Sequence, residues 1–246
     1  MLRPVVKVLI RYVLGRKNRR VIIENHDDFE NLVSGGFANR ESIALIKGAG
    51  VDVRIFAHQP EPAEPIKVIM VSRLLRDKGV HEFIAAAKTV RLKNSNVQFL
   101  LVGDVDGGNP TSMNSEAIAD LTNSKYVTWL GARTDIAKLL AESHIACLPS
   151  YREGLPKSLI EAASVGRPIV ATDVPGCREV VTHMVNGLLV KPRDAQALAV
   201  AIEKLVNDPN LRKSMGEENR RKAEAEYTNE IIIGQTHRVY DSFYNL

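Results

Sequence analysis

Short apolar runs alternate with amphipathic segments over the larger part of this sequence. The apolar runs are typical of buried β-strands and lie at 66–71, 97–102, 126–130, 144–148, 168–172 and 187–190. Helical patterns lie between and after them, at 80–92, 114–122, 134–142, 156–165, 177–182, 195–206, 209–226 and 229–244. Short buried strands that alternate with helices predict an α/β fold, in which a doubly wound, Rossmann-like parallel sheet has helices on both faces.

The residues ahead of this regular region follow a different pattern. One short strand is followed by a helix at 29–33, which Asp27 or Asp28 can cap. A single strand and its helices have no sheet to join, so they cannot make a domain alone. A stretch with three prolines and no apolar periodicity then predicts a stiff linker. We therefore expect a remnant of one α/β domain at 1–56, a linker at 57–65 and a complete second domain at 66–226.

The charge is unevenly distributed along the chain. The 246 residues carry a net charge of +4, yet the first 20 residues contain seven basic residues and no acidic one. These basic residues are Arg3, Lys7, Arg11, Arg16, Lys17, Arg19 and Arg20. With the apolar residues from Val5 to Val13, they predict a basic helix that lies on an anionic membrane surface or packs on a sheet with a solvated face. Nucleic acid is disfavoured as a partner, because the rest of the chain has no basic stripe with interleaved aromatic residues.

The sequence also bears on the compartment. Lys7 and Arg11 interrupt the apolar run near the N-terminus, which disfavours a secretion signal, and no stretch approaches the ~20 apolar residues of a membrane span. The two cysteines, Cys147 and Cys177, give no disulfide framework and fit a reducing environment. We expect a cytoplasmic protein with at most peripheral contact with the inner membrane.

The stretch from Ser150 to Ala163, SYREGLPKSLIEAA, has the most distinctive pattern. It follows a buried strand and predicts a polar loop and then a helix that Pro156 starts. The free amides of Gly154, Leu155 and Lys157 would form an anion site at the helix N-terminus. Glu153 precedes this site and Glu161 lies inside the helix. The arrangement suits an elongated ligand with phosphates in the middle and hydroxyls at both ends, such as a nucleotide-sugar.

Two cations follow another predicted strand. Arg73 and Lys78 come after the run at 66–71, so they are expected at the same edge of the sheet as the Glu153 loop. They could neutralise a diphosphate leaving group, although a pair of solvated loop cations is the plain alternative.

Other chemistries fit the sequence less well. Glu153 and Glu161 might be a general acid and base, but the position of Glu161 inside the helix favours hydroxyl binding. The run that contains Asp104 and Asp106 lacks the spacing of a calcium loop and is better interpreted as an acidic turn. The histidines show no zinc-like spacing, and the nearby glycines do not form the dinucleotide-binding fingerprint.

Four runs together resemble the retaining glycosyltransferases of family 4, which have the two-domain GT-B architecture. They are VSRLLRDKGV at 71–80, LLVGDVDGGNP at 100–110, LPSYREGLPKSLIEA at 148–162 and TDVPGCREVV at 172–181. The runs look most like the bacterial branch that builds capsule, O-antigen and other surface polysaccharides. That branch commonly uses UDP-linked sugars and acceptors carried on undecaprenyl diphosphate.

The resemblance implies a role for each matching residue. It makes Arg73 and Lys78 the basic pair at the donor diphosphate, and Glu153 a catalytic-site ligand of the donor sugar. Glu161 would hold the ribose hydroxyls. The remaining implied nucleotide-sugar contacts are Gly154, Leu155 and Pro156 at sugar and phosphate, with Gly131 and Arg133 bordering the base. No metal and no cofactor are implied, and the C-terminal helix at 227–246 would cross back to the N-terminal domain.

The chain departs from the family pattern in its N-terminal domain. Only the last helix, strand and linker of that domain match, so we expect a truncated chain with a complete donor half and little of the acceptor half. Such a chain should bind nucleotide weakly and transfer poorly, because both halves orient the reactants. The alternatives are a non-catalytic nucleotide-binding remnant, half of a split enzyme that pairs with a separate N-terminal domain, and a UDP-sugar epimerase, for which the chain lacks the expected acid and base residues.

Overall fold

Eight strands and ten helices make up the part of the chain that the computed structural model describes, residues 2–16 and 19–244. The strands are β1 (Val21–Ile23), β2 (Ile43–Leu45), β3 (Lys67–Val71), β4 (Gln98–Val102), β5 (Thr128–Trp129), β6 (Ile145–Leu148), β7 (Ile169–Thr172) and β8 (Gly187–Val190). The helices are α1 (Leu2–Leu14), α2 (His26–Ser34), α3 (Val80–Lys93), α4 (Ser115–Thr122), α5 (Ile136–Ala141), α6 (Lys157–Val165), α7 (Pro175–Val180), α8 (Ala195–Asn207), α9 (Pro209–Glu226) and α10 (Asn229–Tyr244). Lys17, one of the basic residues noted above, and the last two residues lie outside the described part.

The six strands from β3 onward form one parallel sheet in the order β5-β4-β3-β6-β7-β8. This confirms the doubly wound sheet that the apolar runs predict. The chain builds outward from β3 in one direction and from β6 in the other, so the topological switch point lies between β3 and β6. Ligands of such sheets bind outside the carboxyl ends of the strands at this point.

The sheet is buried on both faces, which explains why its strands are continuous apolar runs. All residues of β6 and β7 are buried, and helix α3 packs beside α8 while α6 packs beside α9. Burying apolar surface in this way contributes about 25 cal/mol for each Å² removed from water. The rigid centre of the sheet therefore fixes the positions of the loops that follow β3 and β6.

The N-terminal segment contains a second, smaller parallel sheet. β1 pairs with β2, with Val21 opposite Ile43 and Ile23 opposite Leu45. The expectation of a single strand in this segment is therefore wrong, because the three-residue run of β2 is too short to stand out from its surroundings. The helix after β1 also begins earlier than predicted, since the side chain of Asn25, and not that of Asp27 or Asp28, caps it by accepting from the amide of Asp28.

The N-terminal segment is tied to the last helices through the backbone. The amide of Val51 donates to the carbonyl of Tyr227 at 2.8 Å, and the amide of Asn229 donates back to the carbonyl of Val51 at 3.1 Å. Helix α1 exposes apolar side chains, among them Val5, Val8 and Leu9. None of the helices in the described ranges combines the length and apolar character needed to cross a bilayer.

Candidate functional site

The loops that follow β3 and β6 meet at the switch point of the large sheet. The amide of Tyr151 donates to the carbonyl of Asp77 at 2.8 Å. Gly79 has a φ of 77°, and a Cβ there would lie only 2.1 Å from the carbonyl oxygen of Pro149. Only glycine suits both the left-handed backbone and this close approach. The two loops are therefore packed together by contacts of their backbones.

Helix α6 begins directly after the second loop. Its first residue is Lys157, one later than predicted, because Pro156 has an extended ψ of 108° and takes the cap position. The helix ends as predicted at Gly166, which has a φ of 82°. The first amides of any helix lack an intrahelical partner, so the N-terminus of α6 presents unpaired donors and a partial positive charge.

A cavity of about 200 Å³ lies between these loops and the start of α6. It brings together five of the residues expected in the site and several that the sequence did not single out. Its walls are Val71, Ser72, Arg73, Lys78, Leu148, Glu153, Leu155, Pro156, Lys157 and Ser158. The cavity thus combines three cationic side chains and a helix N-terminus with one carboxylate, which is the environment of an anionic ligand.

All three cations are ion-paired within the structure, and the pair of Lys157 with Glu161 is the longest, at 3.8 Å. Nζ of Lys78 lies 2.7 Å from Oε1 of Glu153, and the carboxylate side chain is only 8% exposed. Nη1 of Arg73 lies 2.5 Å from Oδ2 of Asp106, but the Arg73 side chain is 58% exposed. Asp106 was interpreted above as part of an acidic turn, and its carboxylate also orients Arg73. Lys78 and Arg73 are therefore held at the cavity by carboxylates before a ligand arrives.

Four of the expected residues, Gly154 among them, lie outside the cavity wall. Glu161 is one turn further along α6, 3.8 Å from Nζ of Lys157, and burial raises its pKa above the ordinary value of 4.5. Arg133 pairs with Asp135 through two hydrogen bonds, and the side-chain hydrogen bond from Arg133 lowers the pKa of Asp135 to about 2. Gly131 accepts from the amide of Gly103 at the neighbouring strand edge. Glu161 therefore lies on the helix that begins at the cavity, and Gly131 and Arg133 lie in the loop that follows β5.

Several contacts at the site join parts of the chain that the sequence does not connect. Nδ2 of Asn25 donates to the carbonyl of Gly154 at 3.0 Å, and Asn25 is fully buried. Gly176 in α7 also reaches this carbonyl, because a Cβ there would lie 2.3 Å from the oxygen. Asn25 could be recognised beforehand only as a helix cap, and nothing in its local sequence points to a partner 129 residues away.

The site offers no thiolate nucleophile and no metal cluster in the described residues. Cys177 lies in α7 close to Glu153 and Lys78, but burial raises the pKa of its thiol to about 12. No group of three or more histidine, cysteine, aspartate or glutamate side chains in residues 2–16 and 19–244 is arranged to hold a metal ion. What remains at the cavity is positive charge, oriented amides and carboxylates that can accept from hydroxyls.

A cationic cavity at the switch point of a doubly wound parallel sheet defines a phosphate-binding or nucleotide-binding α/β domain. Residues 52–222 match the family model of glycosyl transferases group 1, and the chain belongs to this family. The match includes the large sheet and the loops that form the cavity.

Two curated relatives show what kinds of protein the chain is similar to. It is 37% identical over 174 residues to an N,N'-diacetylbacillosaminyl-diphospho-undecaprenol alpha-1,3-N-acetylgalactosaminyltransferase of Campylobacter jejuni. It is 30% identical over 173 residues to the capsular polysaccharide biosynthesis glycosyltransferase CapM of Staphylococcus aureus. These matches cover 71% and 70% of this chain but only 44% and 45% of the relatives, so the chain spans about half the length of the curated relatives it matches.

Solved structures confirm the fold. A sucrose-phosphate synthase from Thermosynechococcus elongatus superposes with a TM-score of 0.83 at 26% identity, over 97% of this chain and 61% of that one. Anabaena HepE, solved in complex with UDP, superposes with a TM-score of 0.82 at 23% identity, over 98% of this chain and 68% of that one. The described chain thus has the Rossmann-like fold of GT-B glycosyltransferases.

Proposed function

We propose that the protein binds a nucleotide-sugar and transfers its sugar to a hydroxyl of a glycan acceptor with retention of anomeric configuration. The observation that carries this proposal is the cavity in which Arg73, Lys78 and the N-terminus of α6 converge beside Glu153. Cations and amides suit the diphosphate of a donor, and the carboxylates suit sugar and ribose hydroxyls. Glu153 would hold the donor sugar and Glu161 the ribose.

We propose the following chemistry for this arrangement. The bond between the sugar C1 and the donor diphosphate breaks while a bond forms between C1 and the acceptor oxygen on the same face. Arg73, Lys78 and the α6 amides stabilise the negative charge that develops on the departing diphosphate. The proton of the acceptor hydroxyl moves to a phosphate oxygen of the leaving group. This scheme needs no protein nucleophile.

We propose UDP as the nucleotide and a polyprenyl-diphosphate-linked glycan as the acceptor. The HepE structure that shares the fold holds UDP, which makes it the first nucleotide to test. The name of the Campylobacter relative includes a diphospho-undecaprenol acceptor, and the name of CapM includes capsular polysaccharide biosynthesis. The exposed apolar side chains of α1, beside Lys7 and Arg11, suit peripheral contact with a membrane that carries such an acceptor.

We also propose a domain organisation for the chain. Residues 66–226 would form the donor domain, residues 1–56 would belong to the acceptor-side domain, and 57–65 would link the two. The C-terminal helix from residue 227 would return to the acceptor side. The backbone hydrogen bonds between Val51 and the Tyr227–Asn229 turn support this arrangement.

Calorimetry with UDP, UDP-glucose and UDP-N-acetylglucosamine tests the proposal. Lys78→Ala and Arg73→Ala should each weaken binding of UDP by about tenfold or more, since each removes a charge-assisted contact. Lys138→Ala is the matched control, because Lys138 lies on α5 with a side chain that is 70% exposed. Failure of all three nucleotides to bind would refute the proposal, and binding without transfer to any lipid-linked acceptor would favour a non-catalytic nucleotide-binding protein.

A further inference from the structure

The segments that follow the two strands of the small sheet approach the loop between β6 and α6. β1 ends at Ile23, so Glu24 follows the carboxyl end of the small sheet, and Gly48 follows β2 in the same way. A Cβ on Gly48 would lie 2.7 Å from Cδ2 of Leu155. A Cβ on Gly154 would lie 2.7 Å from Oε2 of Glu24. Both approaches reach the loop that forms the cavity wall.

The backbone that carries Glu24 is fixed on its C-terminal side by buried hydrogen bonds. Asn25 binds the carbonyl of Gly154 through its side chain, and its Oδ1 caps α2. The amide of His26 donates at 2.7 Å to Oε1 of Glu179, a carboxylate with a side chain that is 8% exposed. The backbone at Glu24 is therefore held beside Gly154 by these contacts.

The carboxylates around this loop differ in their partners. Glu153 is paired with Lys78, and Glu179 is paired with His26 and Lys47. Glu24 is exposed, and its carboxylate forms no hydrogen bond or ion pair with the described residues. It is thus a carboxylate next to Gly154 whose accepting capacity remains available to a ligand.

We infer that Glu24 is a further ligand of the transferred sugar, accepting hydrogen bonds from its hydroxyls on the side of the small sheet. This inference rests on the proposed function. The cations at Arg73 and Lys78 hold the negatively charged diphosphate at their side of the cavity, so the acidic side chain of Glu24 meets the uncharged end of the donor. A hydroxyl bound to an ionised carboxylate makes one of the stronger hydrogen bonds found in proteins.

The experiment compares nucleotides with and without a sugar. Dissociation constants for UDP, UDP-glucose and UDP-N-acetylglucosamine are measured on the full chain and on Glu24→Ala, Glu24→Gln and Glu41→Gln. Glu24→Ala should leave UDP affinity within about twofold and reduce the advantage of the preferred UDP-sugar over UDP by about tenfold. Glu24→Gln should reduce this advantage less, because the glutamine amide can still form a hydrogen bond with a hydroxyl. Glu41→Gln is the matched control, since this exposed carboxylate precedes β2 and so lies at the opposite edge of the small sheet.

Each remaining outcome has a separate meaning. A wild-type chain that binds no nucleotide refutes the proposed function itself. If wild type prefers a UDP-sugar over UDP and Glu24→Ala keeps the whole preference, the role of Glu24 is overturned while the proposed function stands. The role is also overturned if Glu24→Ala weakens the binding of UDP and of the UDP-sugar equally. The same holds if wild type binds neither UDP-sugar more tightly than UDP. Melting temperatures of all variants establish that they are folded.

Discussion

The ammonium group of Lys78 and the carboxylate of Glu153 form an ion pair of 2.7 Å inside the cavity. The two residues come from different loops, one after β3 and one after β6, so the pair bridges the switch point of the sheet. A diphosphate that enters the cavity must share Lys78 with Glu153 or take it over. In the second case the carboxylate of Glu153 would be freed to accept from a hydroxyl of the bound ligand.

A double-mutant cycle separates the two roles of Lys78. Lys78→Ala should weaken UDP-sugar binding by about tenfold or more, because it removes a cation from the diphosphate and leaves a mostly buried carboxylate unpaired. Glu153→Gln added to it relieves only the second effect. We expect the double variant to recover protein stability in thermal melts but not nucleotide affinity in calorimetry. Full recovery of affinity would mean that Lys78 serves only to neutralise Glu153.

We expect Glu161 to lower the stability of the fold at neutral pH while it contributes to UDP binding. Burial raises the pKa of this carboxyl above 4.5, although Lys157 acts in the opposite direction. A folded-state pKa above the unfolded value means that the ionised side chain destabilises the fold at neutral pH, and that this cost disappears as the pH falls to 4.5 and below. Glu161→Gln should therefore raise the melting temperature at pH 7 and have no such effect near pH 4. The same change should weaken UDP binding, and unchanged UDP affinity would argue against a ribose contact.

Gly176 is expected to be intolerant of a side chain because it packs against the carbonyl of Gly154. A methyl group there would meet that oxygen at 2.3 Å, so Gly176→Ala must displace the Glu153 loop or α7. We expect a loss of about 1–3 kcal/mol in the free energy of unfolding, measured by denaturant titration, together with weaker UDP-sugar binding. Gly107→Ala is the control, since no atom lies within 4 Å of its added Cβ. Equal behaviour of the two variants would contradict the close packing.

Patterns that depend on near neighbours in the chain allowed much of this structure to be predicted. The central strands β3, β6 and β7 of the large sheet are largely buried, so each is a continuous apolar run that stands out locally. The end of α6 at Gly166 and the approach of Arg73, Lys78 and Glu153 follow from strand order and helix caps. These are consequences of parallel topology, which brings the carboxyl ends of separate strands to one edge.

The features that were not predicted depend on contacts between distant residues. β2 has only three residues, and its pairing with β1 is set by the docking of the whole N-terminal segment. The cap of α2 was placed on the wrong residue, because Asn25, Asp27 and Asp28 are all good capping residues and only tertiary contact selects among them. The contact of Asn25 with Gly154 joins residues whose individual sequences give no sign of each other.

Glu179 should stabilise the junction between the small sheet and the donor site, and this contribution should depend on pH. Burial by itself raises the pKa of its carboxyl, but hydrogen bonds from the amide and ring of His26 and the charge of Lys47 lower it below 4.5. A depressed folded-state pKa stabilises the fold above pH 4.5, and this stabilisation is lost as the pH falls through the folded value. Glu179→Gln should therefore lower the free energy of unfolding by about 1–3 kcal/mol at pH 7, with the difference from wild type shrinking below pH 4.5. The exposed Glu217 on α9 provides the control substitution Glu217→Gln. A stability difference that stays constant from pH 7 to pH 3 would show that Glu179 stabilises the fold through the packing of its side chain and not through its charge.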